Sequence, residues 1–205
     1  MDGTWLMAIM LFTLSMSLTP GPNNVMLIAS GAQFGYKKSL PHITGVLIGV
    51  SGLFIAILLG LKVMFEQYPQ INDYLKVVGS VYLFWLAWKI ATASTVVNSE
   101  FHKSTDAQES KKISLFQASI FQLVNPKSWA VTIGSVSTFT LTGVDYIESG
   151  LWIMACFAVS GFIGMSLWTC FGVQMAKQLT TVKRKKYFNY TMGLLTVCTL
   201  FLILT

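Results

Sequence analysis

Six long runs of apolar residues constrain the fold of this chain more than any other feature of its sequence. A helix needs about 20 mainly apolar residues to cross the hydrocarbon core of a bilayer, and each run is close to that length or longer. Of the 205 residues, 54% are hydrophobic and 11% are charged, whereas a soluble domain has about 25% charged residues. The sequence therefore predicts an all-α integral membrane protein with six transmembrane helices. Their approximate ranges are 4–31, 40–65, 71–94, 114–141, 150–176 and 187–205.

Lysine and arginine are distributed unevenly over the gaps between these runs. The first, third and fifth gaps carry eleven of the fourteen, including the cluster KRKK at 183–186, and the second and fourth carry two. Cytoplasmic loops of membrane proteins are enriched in Lys and Arg. We therefore expect the odd-numbered gaps in the cytoplasm and both termini on the periplasmic side. Topology accounts for the net charge of +6, so nucleic-acid binding is not expected.

One long polar segment, residues 95–113, divides the chain into two parts of similar length. Three predicted spans precede this segment and three follow it, so the second part enters the membrane from the opposite side, as in many secondary transporters. We expect a single membrane domain made of two inverted three-helix repeats, residues 1–94 and 114–205, joined by a cytoplasmic linker. Small residues such as Gly45 and Gly49 in the second span favour close helix packing.

The first span is interrupted by the sequence TPGPNN. Proline lacks an N–H and clashes with the preceding turn, so Pro20 and Pro22 free backbone groups that hydrocarbon cannot satisfy. The break also starts a new helix within the membrane, and the N-terminus of a helix has partial positive charge and unpaired N–H donors that suit a carboxylate. We expect Asn23 or Asn24 to cap that helix. A plain kink without a binding role is the alternative.

The fourth span is interrupted by Asn125, Pro126 and Lys127. A lysine at the centre of a bilayer costs about 2.5–3.5 kcal/mol on insertion scales, so it usually faces a cavity or a polar partner. Burial also makes its protonation switchable. The alternative is that Lys127 marks the end of a half-span and lies away from the midplane.

Together the two breaks predict one polar site inside the membrane. Gly21 has no Cβ, so we expect its backbone to approach a bound carboxylate closely. Backbone carbonyls freed by the prolines would face an ammonium group. The predicted site consists of Pro20, Gly21, Pro22, Asn23, Asn24, Asn125, Pro126 and Lys127.

TPGPN in the first span and NPK in the fourth, in a chain of this length with six predicted spans, resemble the LysE/RhtB family of amino-acid exporters. The stretch YLFWLAWKIATAS at 82–94 and the doubled asparagine of TPGPNN are similar to its cysteine and O-acetylserine exporter subgroup. The resemblance implies a multi-pass protein of the bacterial inner membrane that expels amino acids without a cofactor, driven by antiport of protons. It places substrate binding at the residues of the two motifs.

The chain departs from that family in one respect. Many members carry an acidic residue just after a Gly-x-x-x-Gly in the second span, but here Gly45 and Gly49 are followed by Val50 and Ser51. The departure favours a small neutral substrate, of the cysteine/O-acetylserine or homoserine/threonine type. Export of a basic amino acid such as lysine or arginine is the alternative. Lys127 is then the central charged group that remains for coupling to protons.

A membrane-embedded enzyme and a non-transporting sensor or scaffold are the two alternatives to a transporter. Intramembrane hydrolases need a nucleophile with a base, or a metal cluster. The spans contain no His pair and no obvious Ser–Lys pair on one helix, so we expect no catalytic and no metal-binding residues. A sensor or scaffold has no need of two broken helices and a central lysine. Oligomeric state stays open, with a homo-oligomer as one alternative.

The topology can be tested with reporter fusions. Fusions after Glu148 and after Thr205 should report a periplasmic location, and a fusion after Ser104 should report a cytoplasmic one, because of the distribution of Lys and Arg. A cytoplasmic C-terminus would contradict the arrangement of six spans in two inverted repeats.

Overall fold

The computed structural model describes residues 3–61, 112–141 and 145–204, together with isolated positions between 67 and 92. Within these residues the chain is helical, as the sequence predicts. The helices are α1 (Gly3–Leu18), α2 (Pro22–Phe34), α3 (Tyr36–Ala56), α4 (Leu115–Val124), α5 (Pro126–Phe139), α6 (Tyr146–Gln178) and α7 (Val182–Leu204). A π-helical turn, Ile57–Leu61, extends α3. Most of the predicted third span and of the predicted linker lie outside the described residues.

Two of the described helical segments are long and apolar enough to cross a membrane by themselves, Tyr36–Gly60 and Tyr146–Gln178. Helices α1 and α2 meet the same criterion as a pair, with a bend of 61° between them. Helix α4 is apolar but shorter. The arrangement of six spans in two inverted repeats stays a prediction.

Both predicted breaks are present. Helix α1 ends at Leu18 and α2 begins at Pro22, while α4 ends at Val124 and α5 begins at Pro126. A proline is well tolerated at the first position of a helix, where its missing N–H has no intrahelical partner to lose. Each break therefore ends one helix and begins another instead of only bending a continuous helix.

Helix α6 packs against α1, α2, α3 and α5. Its contact with α2 is very close, because glycines on both helices face the backbone of the other. A Cβ added at Gly31 would lie 2.2 Å from the carbonyl oxygen of Thr169, and one added at Gly172 would lie 2.1 Å from that of Ile28. Small residues allow such approaches where lipid supplies no hydrophobic force between helices. The contact fixes α2 against the second half of the chain.

Helices α3 and α4 pack through the glycines that the sequence analysis singled out. A Cβ at Gly45 would lie 2.3 Å from the Leu115 carbonyl oxygen, and one at Gly49 would lie 2.5 Å from that of Ser119. The Ser119 hydroxyl donates a hydrogen bond of 2.8 Å to the Gly45 carbonyl. Helix α4, which leads into the second break, is thereby held against the second predicted span.

This packing predicts opposite effects for neighbouring glycines of α3. Gly45→Ala and Gly49→Ala should each destabilise the protein by about 1–3 kcal/mol, because the new methyl groups would collide with backbone atoms. Gly52→Ala should be neutral or stabilising, since a Cβ there has no heavy atom within 4 Å and alanine favours a helix over glycine by about 1 kcal/mol. Thermal unfolding of the purified protein in detergent would measure these effects. Equal losses for all three variants would contradict the packing.

Candidate functional site

The two breaks lie against each other, and Lys127 connects them. Its Nζ donates hydrogen bonds to the carbonyl oxygens of Thr19 at 2.5 Å and Pro20 at 3.5 Å. These carbonyls follow the C-terminus of α1, where a helix carries partial negative charge. Lys127 is the second residue of α5 and is partly buried. The lysine thus faces a polar partner, as expected, and that partner is the backbone of the other break.

Gly21 leaves the space that the Lys127 side chain occupies. A Cβ at Gly21 would lie 2.8 Å from Lys127 Cδ and 3.1 Å from its Nζ. The φ of Gly21 is −171°, extended backbone that any residue can adopt. Glycine is therefore required here by the position of the lysine and not by backbone conformation. Its close approach to a substrate carboxylate stays a prediction.

The cap of α2 differs from the expectation. Gly21 is the N-cap residue, and no side chain accepts a hydrogen bond from the first turn. Asn24 instead donates from Nδ2 to the carbonyl oxygens of Thr19 at 2.8 Å and Ser17 at 3.3 Å. The prediction that Asn23 or Asn24 caps α2 is wrong, because the carbonyls at the end of α1 lie within reach and bind the Asn24 amide.

Asn23 is bonded to Gln122 of α4 through its side-chain amide. Asn23 Nδ2 donates to Gln122 Oε1 at 2.9 Å, and Gln122 Nε2 donates to Asn23 Oδ1 at 3.2 Å. Gln122 is fully buried. Gln122 was not among the predicted site residues. An amide in an apolar run, one turn before the second break, is nevertheless a pattern that indicates a polar contact there.

The second break is capped in the ordinary way. The Asn125 side chain accepts a hydrogen bond from the Lys127 N–H at 3.2 Å, and the N–H groups of Ser128 and Trp129 bond to the Asn125 carbonyl. Asn125 Nδ2 also donates to Gln122 Oε1 at 3.2 Å. The backbone donors that begin α5 are thus occupied by Asn125 itself.

Within the described residues, the backbone donors at the start of α2 are less fully bonded than those at the start of α5. The N–H groups of Asn24 and Val25 both bond to the Gly21 carbonyl, and Pro22 has none. The Asn23 N–H makes no hydrogen bond to another described residue. Of the two new helix ends, α2 is therefore the one that combines a positive helix dipole with a free donor.

A cavity of about 80 Å³ lies beside the two breaks. Since about 10–15 Å³ of such space suffices for one water molecule, the cavity has room for several waters or for part of a small solute. Half of its lining residues are polar, charged or start a helix at the breaks: Ser17, Gly21, Asn23, Asn24, Asn125, Lys127, Ser128 and Thr132. The other lining residues are apolar or glycine: Met16, Val46, Leu47, Val50, Val131, Phe157, Gly161 and Met165.

Five of the eight predicted site residues line this cavity, and the three prolines do not. Pro22 and Pro126 occupy the first positions of α2 and α5, so they shape the breaks. Among the described residues that line the cavity, Lys127 carries a charge and none is acidic. No group of three or more His, Cys, Asp or Glu suited to a metal ion occurs within the described parts of the chain.

Comparison with known proteins identifies the family of this chain. The family described as LysE type translocator matches residues 14–204. Proteins named cysteine/O-acetylserine efflux protein from Escherichia coli (strain K12) and Shigella sonnei (strain Ss046) are each 31% identical over 176 residues, which is 84% of this chain and 84% of each relative. No solved structure matches the chain. The chain therefore belongs to the LysE family of translocators, which makes it a transporter and not an enzyme.

Proposed function

We propose that this protein is a secondary transporter that exports small neutral amino acids, of the cysteine and O-acetylserine type, from the cytoplasm in exchange for protons. One observation carries the proposal: a single cavity is lined by the start of an uncapped helix, a lysine and apolar side chains, with no acidic group among the described residues of its lining. The names of the relatives support an amino acid of this class.

The substrate carboxylate would bind between the Asn23 N–H and Lys127. The N–H has no partner among the described residues, and the N-terminus of α2 adds partial positive charge. Hydrogen bonds from an ammonium to a carboxylate are short and stronger than neutral ones. Lys127 would turn from the Thr19 carbonyl to the carboxylate.

The substrate ammonium would then take the place that Lys127 leaves. The carbonyls of Thr19 and Pro20, which bind the lysine in the structure, are acceptors for any cation of similar size. A zwitterion would therefore bind at both ends. Its carboxylate would contact Lys127, and its ammonium would contact the carbonyls that Lys127 has left. The total charge of the site stays the same.

The side chain of the substrate would contact the apolar residues of the cavity lining. These include Met16, Phe157 and Met165, and sulfur atoms make favourable contacts with aromatic rings. A lysine or arginine substrate would bring a second positive charge next to Lys127 without an acid to compensate for it. The site therefore favours a small neutral substrate over the basic alternative.

Lys127 would also couple export to protons. In the protonated state it binds the carboxylate, and loss of the proton removes that attraction and releases the substrate. Substrate affinity therefore depends on the pH on each side of the membrane, and the exchange of substrate for protons additionally requires that the empty transporter carry a proton inwards. We propose an inner-membrane location with both termini periplasmic, which follows from the positive residues of the odd-numbered gaps.

Counterflow in proteoliposomes tests this function. Purified protein should exchange labelled cysteine or O-acetylserine, and an imposed pH gradient should drive net transport. Unlabelled threonine should compete more strongly than unlabelled lysine. A sensor or scaffold would give no exchange above that of empty liposomes, and preferential competition by lysine would favour a basic substrate.

Gly21→Ala should abolish transport while the protein still folds. The new methyl group would collide with the flexible Lys127 side chain and not with backbone, so the lysine would move away from the Thr19 carbonyl at little cost in stability. We expect at least a tenfold loss of counterflow with a melting temperature near that of wild type. The control is Gly134→Ala in α5, where a Cβ has no heavy atom within 4 Å. Unchanged transport by Gly21→Ala would favour a plain kink at the first break.

Substitutions of Lys127 separate binding from proton coupling. Lys127→Met keeps much of the side-chain volume but removes the charge, so active efflux should be lost. Lys127→Arg keeps the positive charge, because arginine does not deprotonate readily. Any transport that remains should therefore not respond to an imposed pH gradient. Wild-type efflux and pH dependence in Lys127→Met would rule out the lysine as the coupling group.

A further inference from the structure

Gln122 joins the two breaks through a single buried amide. Its Oε1 accepts hydrogen bonds from Asn23 Nδ2 at 2.9 Å, Asn125 Nδ2 at 3.2 Å and Ser128 Oγ at 2.7 Å. Its Nε2 donates to the Ala118 carbonyl at 2.8 Å and to Asn23 Oδ1 at 3.2 Å. Asn23 belongs to the first break and Asn125 and Ser128 to the second, so one side chain bonds to both.

The side chain of Gln122 is fixed within its own half of the chain. It is 0% exposed, and a Cβ at Gly49 would lie 2.6 Å from its Cγ. The bond to the Ala118 carbonyl, one turn earlier in the same helix, holds the amide in one orientation. Asn23 is only partly buried and lines the cavity. Of the two amides, Asn23 is therefore the one that can move.

Gln122 can lose its bonds to Asn23 at small cost, because its other hydrogen-bond partners remain. An amide oxygen has two lone pairs, yet three donors point at Oε1. If Asn23 leaves, Asn125 and Ser128 still satisfy that oxygen. The loss is confined to one N–H, the one that donates to Asn23 Oδ1, and a water molecule in the adjoining cavity can accept from it.

We propose that Gln122 is a positioning residue for transport, an amide clasp that holds Asn23 of the first break against the second break and so sets the affinity for substrate. The inference rests on the proposed function, because it takes Asn23 as the residue that meets the substrate. Gln122 is absent from the lining of the cavity, so it acts through Asn23 and not by direct contact. By fixing the Asn23 side chain, the clasp would hold the Asn23 N–H where the substrate carboxylate binds.

A length swap tests the clasp. Asn23→Gln and Gln122→Asn each change the length of the amide pair by one methylene, while the double variant Asn23→Gln/Gln122→Asn restores the total. We expect each single change to raise the half-saturation concentration for labelled cysteine counterflow about tenfold. The double variant should return to within about threefold of wild type. Gln174→Asn, the same chemical change at an exposed position of α6, should behave like wild type.

A double variant as impaired as the product of its two singles, about a hundredfold, would overturn the proposal, as would single variants that equal wild type. If Gln122→Asn does not fold, Gln122→Glu replaces it. That change keeps an acceptor for Asn125 and Ser128 and removes the donor to Asn23 and to the Ala118 carbonyl, so half-saturation should rise in a folded protein. A wild-type half-saturation for Gln122→Glu would also overturn the clasp.

Failure of the proposed function gives a different result. If wild-type protein exchanges none of the amino acids offered, the same four proteins can be compared by thermal unfolding in detergent. The clasp predicts that each single variant melts earlier and that the double variant recovers most of the loss. Additive losses would overturn the clasp whatever the substrate is.

Discussion

Unpaired backbone groups are the constraint on which the rest of this structure depends. Prolines interrupt two apolar helical stretches, and hydrocarbon would offer no partner for the groups that they free. At the first break, side chains supply the hydrogen bonds that the freed backbone groups need. Lys127 and Asn24 both donate to the Thr19 carbonyl, and Gly21 leaves room for the lysine. The polar site therefore arises from the need to satisfy the end of α1.

The backbone groups at the two breaks are satisfied to different degrees, and this difference gives the site its polarity. Asn125 caps α5 with its own side chain, so that helix has little left to offer an anion. Gly21 has no side chain with which to cap α2, and the asparagines that follow it are bonded elsewhere. A donor and a positive dipole stay open on one side only, next to Lys127, the charged residue of the described cavity lining. We therefore expect an amino acid to bind in a single orientation.

The positions of both breaks could be predicted from the sequence, because proline and glycine within an apolar run disrupt the helix that the run would otherwise form. That Lys127 faces a cavity or a polar partner, and that the glycines of α3 pack closely, could be predicted as well, but the Thr19 carbonyl as the partner of Lys127 could not. The partners of the asparagines could not. Asn24 was free to cap its own helix or to reach back to α1, and Asn23 finds its partner 99 residues away at Gln122. Local preferences such as capping decide only when no distant group competes.

The contact between Gly21 and Lys127 also couples the evolution of these two positions. The lysine fills the volume that a side chain at position 21 would need, so neither residue can be exchanged without regard to the other. A larger residue at 21 would displace the lysine from the Thr19 carbonyl, and a shorter residue at 127 would leave that carbonyl to Asn24 alone. Related transporters with a larger residue at position 21 should therefore have altered position 127 as well, and we expect their substrates to differ in charge.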